Sequence, residues 1–272
     1  MPTVPKERGW GCSPSICGCS LPVELARNSI RLKRMEFSEL LQARYSVRAY
    51  LDKPVEPEVL QAVLDDARHC ASWSNTRGYV LAVATGERLE RIRADYVSRA
   101  ETASGMLRGR PGAFLRALRE GKLPKADFKT WGKYPPELRK RQVANGKRYY
   151  AHLGIGRGDE PGRAQQVRQN LELFQAPVGI FVFVHRSLLP FSAQDAGLML
   201  STLMLAAANR GLGTVAIGTL ATWRTPLEAE FRIPKDYGLI TGLALGYPDP
   251  DAQINEYRAE HPPLTLAEPR DG

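Results

Sequence analysis

The chain of 272 residues is poor in the groups that usually mark an enzyme's own chemistry, with four histidines and four cysteines. None of His69, His152, His185 and His261 stands at metal-ligand spacing from a second histidine or a cysteine, and isolated imidazoles are more often surface or core residues than ligands. Cys12, Cys17 and Cys19 crowd together at a spacing that suits neither a zinc knuckle nor a redox Cys-x-x-Cys, so no metal is expected. There is no Gly-x-Ser-x-Gly elbow. Gly211-Leu-Gly-Thr is neither a dinucleotide loop nor a phosphate loop closing in Gly-Lys-Ser/Thr. The longest apolar stretches, around Pro177 to Val184 and Gly197 to Ala208, are too short or too interrupted to cross a bilayer, and the N-terminus lacks an uninterrupted apolar signal core. A cytoplasmic protein without membrane contact is the expectation. A chain lacking its own acid, base or nucleophile most often borrows a cofactor and holds it.

At 43% hydrophobic residues, the composition is that of an ordinary globular protein with enough apolar mass for a full core. No segment repeats and no linker divides the chain after residue 35. Residues 1–34, rich in Gly, Pro, Ser and Cys and without periodicity, read as a flexible extension, with Met35 as the expected functional start. Residues 35–266 read as one domain and 267–272 as a tail. The net charge of +9 is unevenly spread. Between Leu107 and Tyr150, thirteen lysines and arginines face only Glu120, Asp127 and Glu137, an excess that accounts for the whole positive balance. This basic stretch lies in an insertion of about residues 105–160, broken by Gly-Arg-Pro111-Gly, Gly121-Lys-Leu-Pro and Tyr134-Pro-Pro. It is either a solvated surface or an attractor of anions. Its aromatics, Phe114, Phe128, Trp131, Tyr134, Tyr149 and Tyr150, are expected mostly to anchor it. They form no recognisable stacking platform, and no helix-turn-helix or RNA-binding signature occurs, so nucleic acid is not expected as a partner.

Hydrophobic periodicity predicts helices over Glu36 to Ala43, Pro57 to Cys70, Gly86 to about Ser104, a stretch ending at Phe174, Ser192 to Asn209 and Thr225 to Phe231. Strands are predicted over Tyr79 to Ala84, Ala176 to Val184, Gly211 to Gly218 and Gly238 to Gly246. The class is α+β with a small sheet. The nearly all-apolar helix after Asp195 is either a core helix or a subunit-interface helix.

Three segments offer polar groups suited to one cofactor. Arg44, Ser46 and Arg48 in Arg44-Tyr45-Ser46-Val47-Arg48 alternate to face one way if the chain extends there, two guanidinium groups and a hydroxyl that suit a phosphate monoester; a plain solvated basic turn is the alternative. The loop Ser72-Trp73-Ser-Asn75-Thr-Arg77 offers amide and hydroxyl partners for a heterocycle or sugar chain. Ile217-Gly218-Thr219 ends a strand with backbone donors.

In this order, the segments resemble the nitroreductase family. Arg44-Tyr45-Ser46-Val47-Arg48 is similar to the family's Arg-x-Ser-x-Arg/Lys motif, which grips the phosphate of flavin mononucleotide (FMN). Ala71-Ser72-Trp73-Ser-Asn75-Thr-Arg77-Gly-Tyr79 resembles the loop Pro-Ser-Ser-x-Asn-x-Gln-Pro-Trp that approaches the flavin from the neighbouring subunit. Asn209-Arg-Gly-Leu-Gly-Thr is similar as well, as is Gly246-Tyr-Pro-Asp followed by Asn255-Glu-Tyr-Arg258, the segment that returns a basic side chain to the phosphate. The matches run from about residue 36 to 266. Two positions depart from the pattern: Arg77-Gly-Tyr79 replaces Gln-Pro-Trp, and His261 replaces a second C-terminal arginine.

The resemblance implies a nitroreductase-like fold with a small, mostly antiparallel central sheet flanked by helices in a domain-swapped type of homodimer. It implies FMN held by Arg44, Tyr45, Ser46, Arg48, Ser72, Trp73, Asn75, Arg77, Ile217, Gly218, Thr219 and Arg258, with no catalytic side chain. It implies ping-pong transfer from NADPH or NADH to a nitroaromatic, quinone or related acceptor. Reductive dehalogenation or flavin fragmentation on the same fold, and a non-catalytic flavin or polyanion-binding protein, are the competing readings. A basic lid over the pocket would favour NADPH over NADH and anionic acceptors over neutral ones.

Overall fold

The computed structural model describes residues 36–107, 111–129 and 134–270, all within the compact unit Arg34–Gly272. The N-terminal extension, with Cys12, Cys17 and Cys19, and Trp131 of the basic segment lie outside the described residues.

Strand β2 (Val178–His185) is apolar at every position but its last, as a strand covered on both faces must be. It pairs antiparallel with β1 (Tyr79–Thr85) on one side and β4 (Tyr237–Gly246) on the other, and β3 (Gly213–Ile217) pairs antiparallel with β4. The sheet order is β1-β2-β4-β3, which leaves β3 at an edge. Period-two alternation sends Phe181 and Phe183 into one core with Tyr96, Leu171 and Trp223, and sends Ile180, Val182 and Val184 into another with Val63, Met199 and Leu203. The first core lies under α3 (Gly86–Leu107), α6 (Glu160–Leu171) and the short α8 (Thr225–Glu228), the second under α2 (Pro57–Ala67) and α7 (Phe191–Ala208). The class expected from the sequence, α+β with a small antiparallel sheet, is the class observed.

The predicted helix through Phe174 stops earlier. After α6 the backbone of Leu173, Phe174 and Gln175 turns left-handed (φ 51°, 53° and 59°), and this reversal tucks the Leu173 and Phe174 side chains into the first core. Helix α7 has a more open face than its composition suggests. Ser192, Asp195, Ala196, Met199, Leu203, Ala206 and Ala207 are buried, whereas Gln194, Gly197, Leu198 and Ser201 form an exposed stripe. No helix among the described residues is long and apolar enough to cross a membrane.

The basic segment contains α4 (Ala113–Arg119) and α5 (Pro136–His152). Between them it is stitched into the first core. Lys125 N–H donates to Thr222 O at 3.0 Å, and the Trp223 indole donates to Lys122 O at 3.2 Å. The Asp127 carboxylate accepts the Leu239 N–H at 2.7 Å while pairing with Arg224 and Arg186. Phe128, Tyr149 and Tyr150 anchor the segment as expected, but Phe114 and Tyr134 are exposed and anchor nothing.

Candidate functional site

The first functional segment follows α1 (Phe37–Ala43), whose start is capped by the Glu36 carboxylate on Ser38 N–H at 2.8 Å. The helix ends at Arg44, which is extended (φ −72°, ψ 121°), and Ser46 then forms a parallel bridge with Thr214 of β3. The close approach depends on Gly213: a Cβ there would lie 2.4 Å from Val47 Cγ2. Val47 is buried against the sheet, so its neighbours Ser46 and Arg48 face outward, the alternation anticipated from the sequence. Arg44, Tyr45, Ser46 and Arg48 are all half-buried.

The C-terminal segment is fastened beside this strand by Asn255, a nearly fully buried residue that the sequence reading did not single out as a site residue. Its Oδ1 accepts the N–H groups of Arg48 and Ala49 at 2.8 and 3.2 Å, and its Nδ2 donates to Ala49 O and Asp249 O at 2.8 and 2.9 Å. The only local signal was an asparagine three residues before Arg258. Arg258 is thereby returned to the motif, with its guanidinium 3.5 Å from the Tyr45 ring centroid. Among the described residues, none of Arg44, Arg48 and Arg258 has a carboxylate within 4.0 Å, although sixteen ion pairs form elsewhere. Guanidinium groups without a counter-ion on neighbouring segments could hold an anion, and a phosphate is the ligand their paired donors suit. A cleft of about 140 Å³ opens beside Arg44, lined by Arg44, Tyr45, Gly211, Gly213, Thr214 and Pro248, with Arg48 and Arg258 outside its walls.

At the other end of β3, Ile217 points into the core while Gly218 is exposed and opens a single-turn 3-10 helix through Thr222, so the donors available are those of Gly218 and Thr219. N-terminal N–H groups of such a turn have no acceptor within it. A Cβ on Gly218 would meet nothing within 4 Å. Thr219 borders a chamber of about 1010 Å³ walled by Val97, Ala103, Ala164, Leu171 and Trp223. The charged groups at its rim, Arg116, Lys122 and Arg168, are paired with Glu120 and Glu101. The strand between the two ends spans five residues, roughly 15 Å. The arginine motif bridged to β3 near its start and a largely apolar chamber beyond its end could together take a phosphorylated molecule with a flat ring, as FMN is.

The third predicted segment lies elsewhere. The loop Ser72–Arg77 sits at the start of α7: Trp73 stacks on Phe191 at 4.0 Å, and its N–H donates to Asp195 Oδ1 at 2.8 Å. The Ser72 hydroxyl closes the loop by accepting the Arg77 N–H at 3.2 Å, Asn75 has a left-handed backbone, and Arg77 is exposed. Arg44 lies beside Ala208 and Gly211, at the other end of α7. An 18-residue helix is roughly 27 Å long, so one chain does not bring Trp73 and Asn75 to Arg44 and Arg48. Asp195, the buried carboxylate that holds the loop, is a further residue missed from sequence, where it read only as the opening of an apolar helix.

No group of three His, Cys, Asp or Glu suited to a metal occurs among the described residues. A family model described as the nitroreductase family matches residues 41–247. The chain is 30% identical over 224 residues to a 4-nitrobenzoate reductase of Pseudomonas putida, covering 82% of this chain and 90% of that protein. It is 29% identical over 222 residues to a chloronitrobenzene nitroreductase of Comamonas testosteroni, covering 80% and 89%. Among solved structures, the FMN-dependent nitroreductase NfnB from Mycobacterium smegmatis in complex with NADPH superposes with a TM-score of 0.73 at 26% identity, covering 86% of this chain and 97% of that one. The FMN and NADPH-dependent nitroreductase NfnB from sphigopyxis sp. strain HMH gives 0.72 at 28% identity, covering 85% and 96%.

Proposed function

The chain belongs to the nitroreductase family, and from that premise we propose that it is an FMN-dependent oxidoreductase that reduces nitroaromatic compounds with NADPH. The observation that carries the reading is the set Arg44, Arg48 and Arg258, without carboxylate partners among the described residues, beside the start of β3, with the Gly218–Thr219 turn and a largely apolar chamber at its other end. Arg44, Ser46, Arg48 and Arg258 hold the phosphate by charge-assisted bonds, and the amides of Gly218 and Thr219 meet the polar side of the ring. Bound there, the flavin supplies hydride acceptance from the nicotinamide and electron delivery to the nitro group. The protein contributes binding, orientation and an apolar space beside Thr219 in which the acceptor is kept from bulk water.

Two copies complete the site. The exposed stripe Gln194, Gly197, Leu198 and Ser201 lets α7 pair antiparallel with its mate in a two-fold dimer, which carries the Trp73 loop of each chain to the arginines of the other. The extended residues 259–270, in which Leu264 and Leu266 are 89% and 83% exposed, suit a tail that packs on the partner. The exposed Arg139, Lys140, Arg141 and Lys147 of α5, unpaired among the described residues, support a preference for NADPH and anionic acceptors. A nicotinamide reductant is in keeping with the cytoplasmic location expected from the sequence.

Purified protein is expected to be yellow, to bleach under NADPH without oxygen and to recover colour on addition of 4-nitrobenzoate. A preparation that cannot be loaded with FMN overturns the reading.

A further inference from the structure

One face of α5 is aromatic, and that face meets the arginine motif. The Arg48 guanidinium lies over the Tyr149 ring, with Cζ 4.9 Å from the centroid. The ring is held from several sides. Its hydroxyl donates to Gln166 Oε1 at 2.8 Å, and Tyr150 and Tyr257 meet it edge-on at 5.6 and 5.3 Å. Tyr257 belongs to the C-terminal segment and donates to Asn145 Oδ1 of α5 at 2.8 Å. Gln253 Nε2 donates to His152 O at 3.0 Å, and Gln253 O lies 2.7 Å from His152 Nε2. Arg148 of α5 adds an ion pair to Glu260 at 3.0 Å, so the helix is latched to the segment that carries Arg258 while it stacks on Arg48.

We propose that Tyr149 is a positioning residue for the cofactor phosphate, its ring fixing the Arg48 guanidinium so that the in-plane donors stay free for phosphate oxygens. The proposal rests on the phosphate role of Arg48 given above. A guanidinium stacked on an aromatic face keeps its N–H groups at its edge. Here Nη1 already donates to Ser46 O at 3.2 Å, which sets the rotation of the group. An arginine held in this way has less rotamer freedom to lose when the anion arrives, so affinity rises without an added contact to the ligand. Because the same ring is packed on Tyr257, cofactor binding and docking of α5 are coupled.

The test titrates FMN into cofactor-free wild-type protein and the variants Tyr149→Phe and Tyr149→Leu, each with and without Arg48→Ala. Tyr149→Phe keeps the ring and is expected to bind like the wild type. Tyr149→Leu removes it and is expected to weaken FMN roughly 3- to 10-fold, the range of a partly buried cation–π contact. In the Arg48→Ala background the leucine change is expected to add less than about a factor of two, since the group it orients is gone. Amide exchange over residues 136–152 is expected to slow when FMN binds wild-type protein, and less so in Tyr149→Leu. Unchanged affinity in Tyr149→Leu, or equal losses with and without Arg48, would overturn the positioning role while leaving the flavin reading intact. A wild-type chain with no affinity for FMN would overturn both.

Discussion

The separation of the candidate site along α7 leads to a prediction about two crippled chains. One variant, Arg44→Ala with Arg48→Ala, lacks the phosphate grip but keeps the loop. The other, Ser72→Ala with Asn75→Ala, keeps the grip and lacks the loop. Within one chain these groups lie at opposite ends of an 18-residue helix, roughly 27 Å apart. If each site combines the arginines of one copy with the loop of the other, a two-fold dimer of the two variants holds one site with both halves intact and one with neither. Either variant alone is expected to retain little FMN, because losing two charge-assisted phosphate contacts costs roughly 3–6 kcal/mol. Co-expressed with different tags and purified through both, the mixed dimer is expected to bind about half the wild-type amount of FMN and to show about half its NADPH-driven turnover. Flavin stoichiometry by absorbance after desalting gives the first figure and anaerobic assay the second. A mixed dimer no better than the mean of the two variants would refute the split site. So would failure of the two tags to co-purify.

Three further outcomes test how the fold supports this site. Asp127→Ala removes the acceptor of Leu239 N–H and a partner of the buried Arg224, so a loss of about 3 kcal/mol and a fall in Tm of roughly 6–12 °C are expected; a calorimetric shift below about 1 °C would contradict the stitching role. Gly213→Ala places a methyl group 2.4 Å from Val47 Cγ2 and 2.7 Å from its Cβ, with an expected cost of about 1–3 kcal/mol in chemical denaturation that Val47→Ala, which keeps the Cβ, relieves only in part; equal costs in both backgrounds would count against the close approach. The bidentate hydrogen bond from Arg91, with Arg88 nearby, holds the Glu230 carboxyl below the usual carboxylate range. A depressed native pKa contributes stability above the unfolded value, near 4.3, and the contribution disappears as pH falls through the native value. Glu230→Gln is therefore expected to be less stable than wild type at neutral pH, with the gap closing below about pH 4; a gap unchanged into acid would rule out this linkage.

Local chemistry made much of this molecule legible. The all-apolar run at Val178–Val184 could only be a strand covered on both faces, and the alternating Arg44, Ser46 and Arg48 kept their spacing because Val47 had one place to go, against Gly213. The turn at Leu173–Gln175 escaped notice because a left-handed run of ordinary residues has no local signature; it exists because burying Leu173 and Phe174 outweighs the backbone penalty. The contacts that organise the site also join positions far apart in the chain. Tyr149 stacks on Arg48 across about a hundred residues, Asp195 meets Trp73 across 122, and Asp127 meets Leu239 across 112. The aromatics of the basic segment were legible as anchors, but their partners were not: Tyr149 meets Arg48 and Tyr257, Asp127 meets Leu239 and Arg224, and Arg148 pairs with Glu260.

The loop at the start of α7 supports the split site on energetic grounds as well. Ser74, Asn75 and Arg77 all have positive φ (48°, 56° and 49°), a conformation that costs residues with a side chain about 1–2 kcal/mol each. Such a loop persists only when its surroundings over-determine it. Four contacts do so: Asp195 on Trp73 N–H, Ser72 Oγ on Arg77 N–H, the Thr76 hydroxyl on Trp73 O, and Phe191 beneath the indole. Trp73 is nonetheless half exposed, and the arginines of the same chain lie a helix length away. Asp195 also carries a buried Oδ2 without a partner, a polar atom tolerated to keep the loop in place. Strain and an unsatisfied carboxylate oxygen at one spot are costs a fold keeps where the held surface has a use, and under the proposed pairing along α7 that surface would meet the arginines of the other copy.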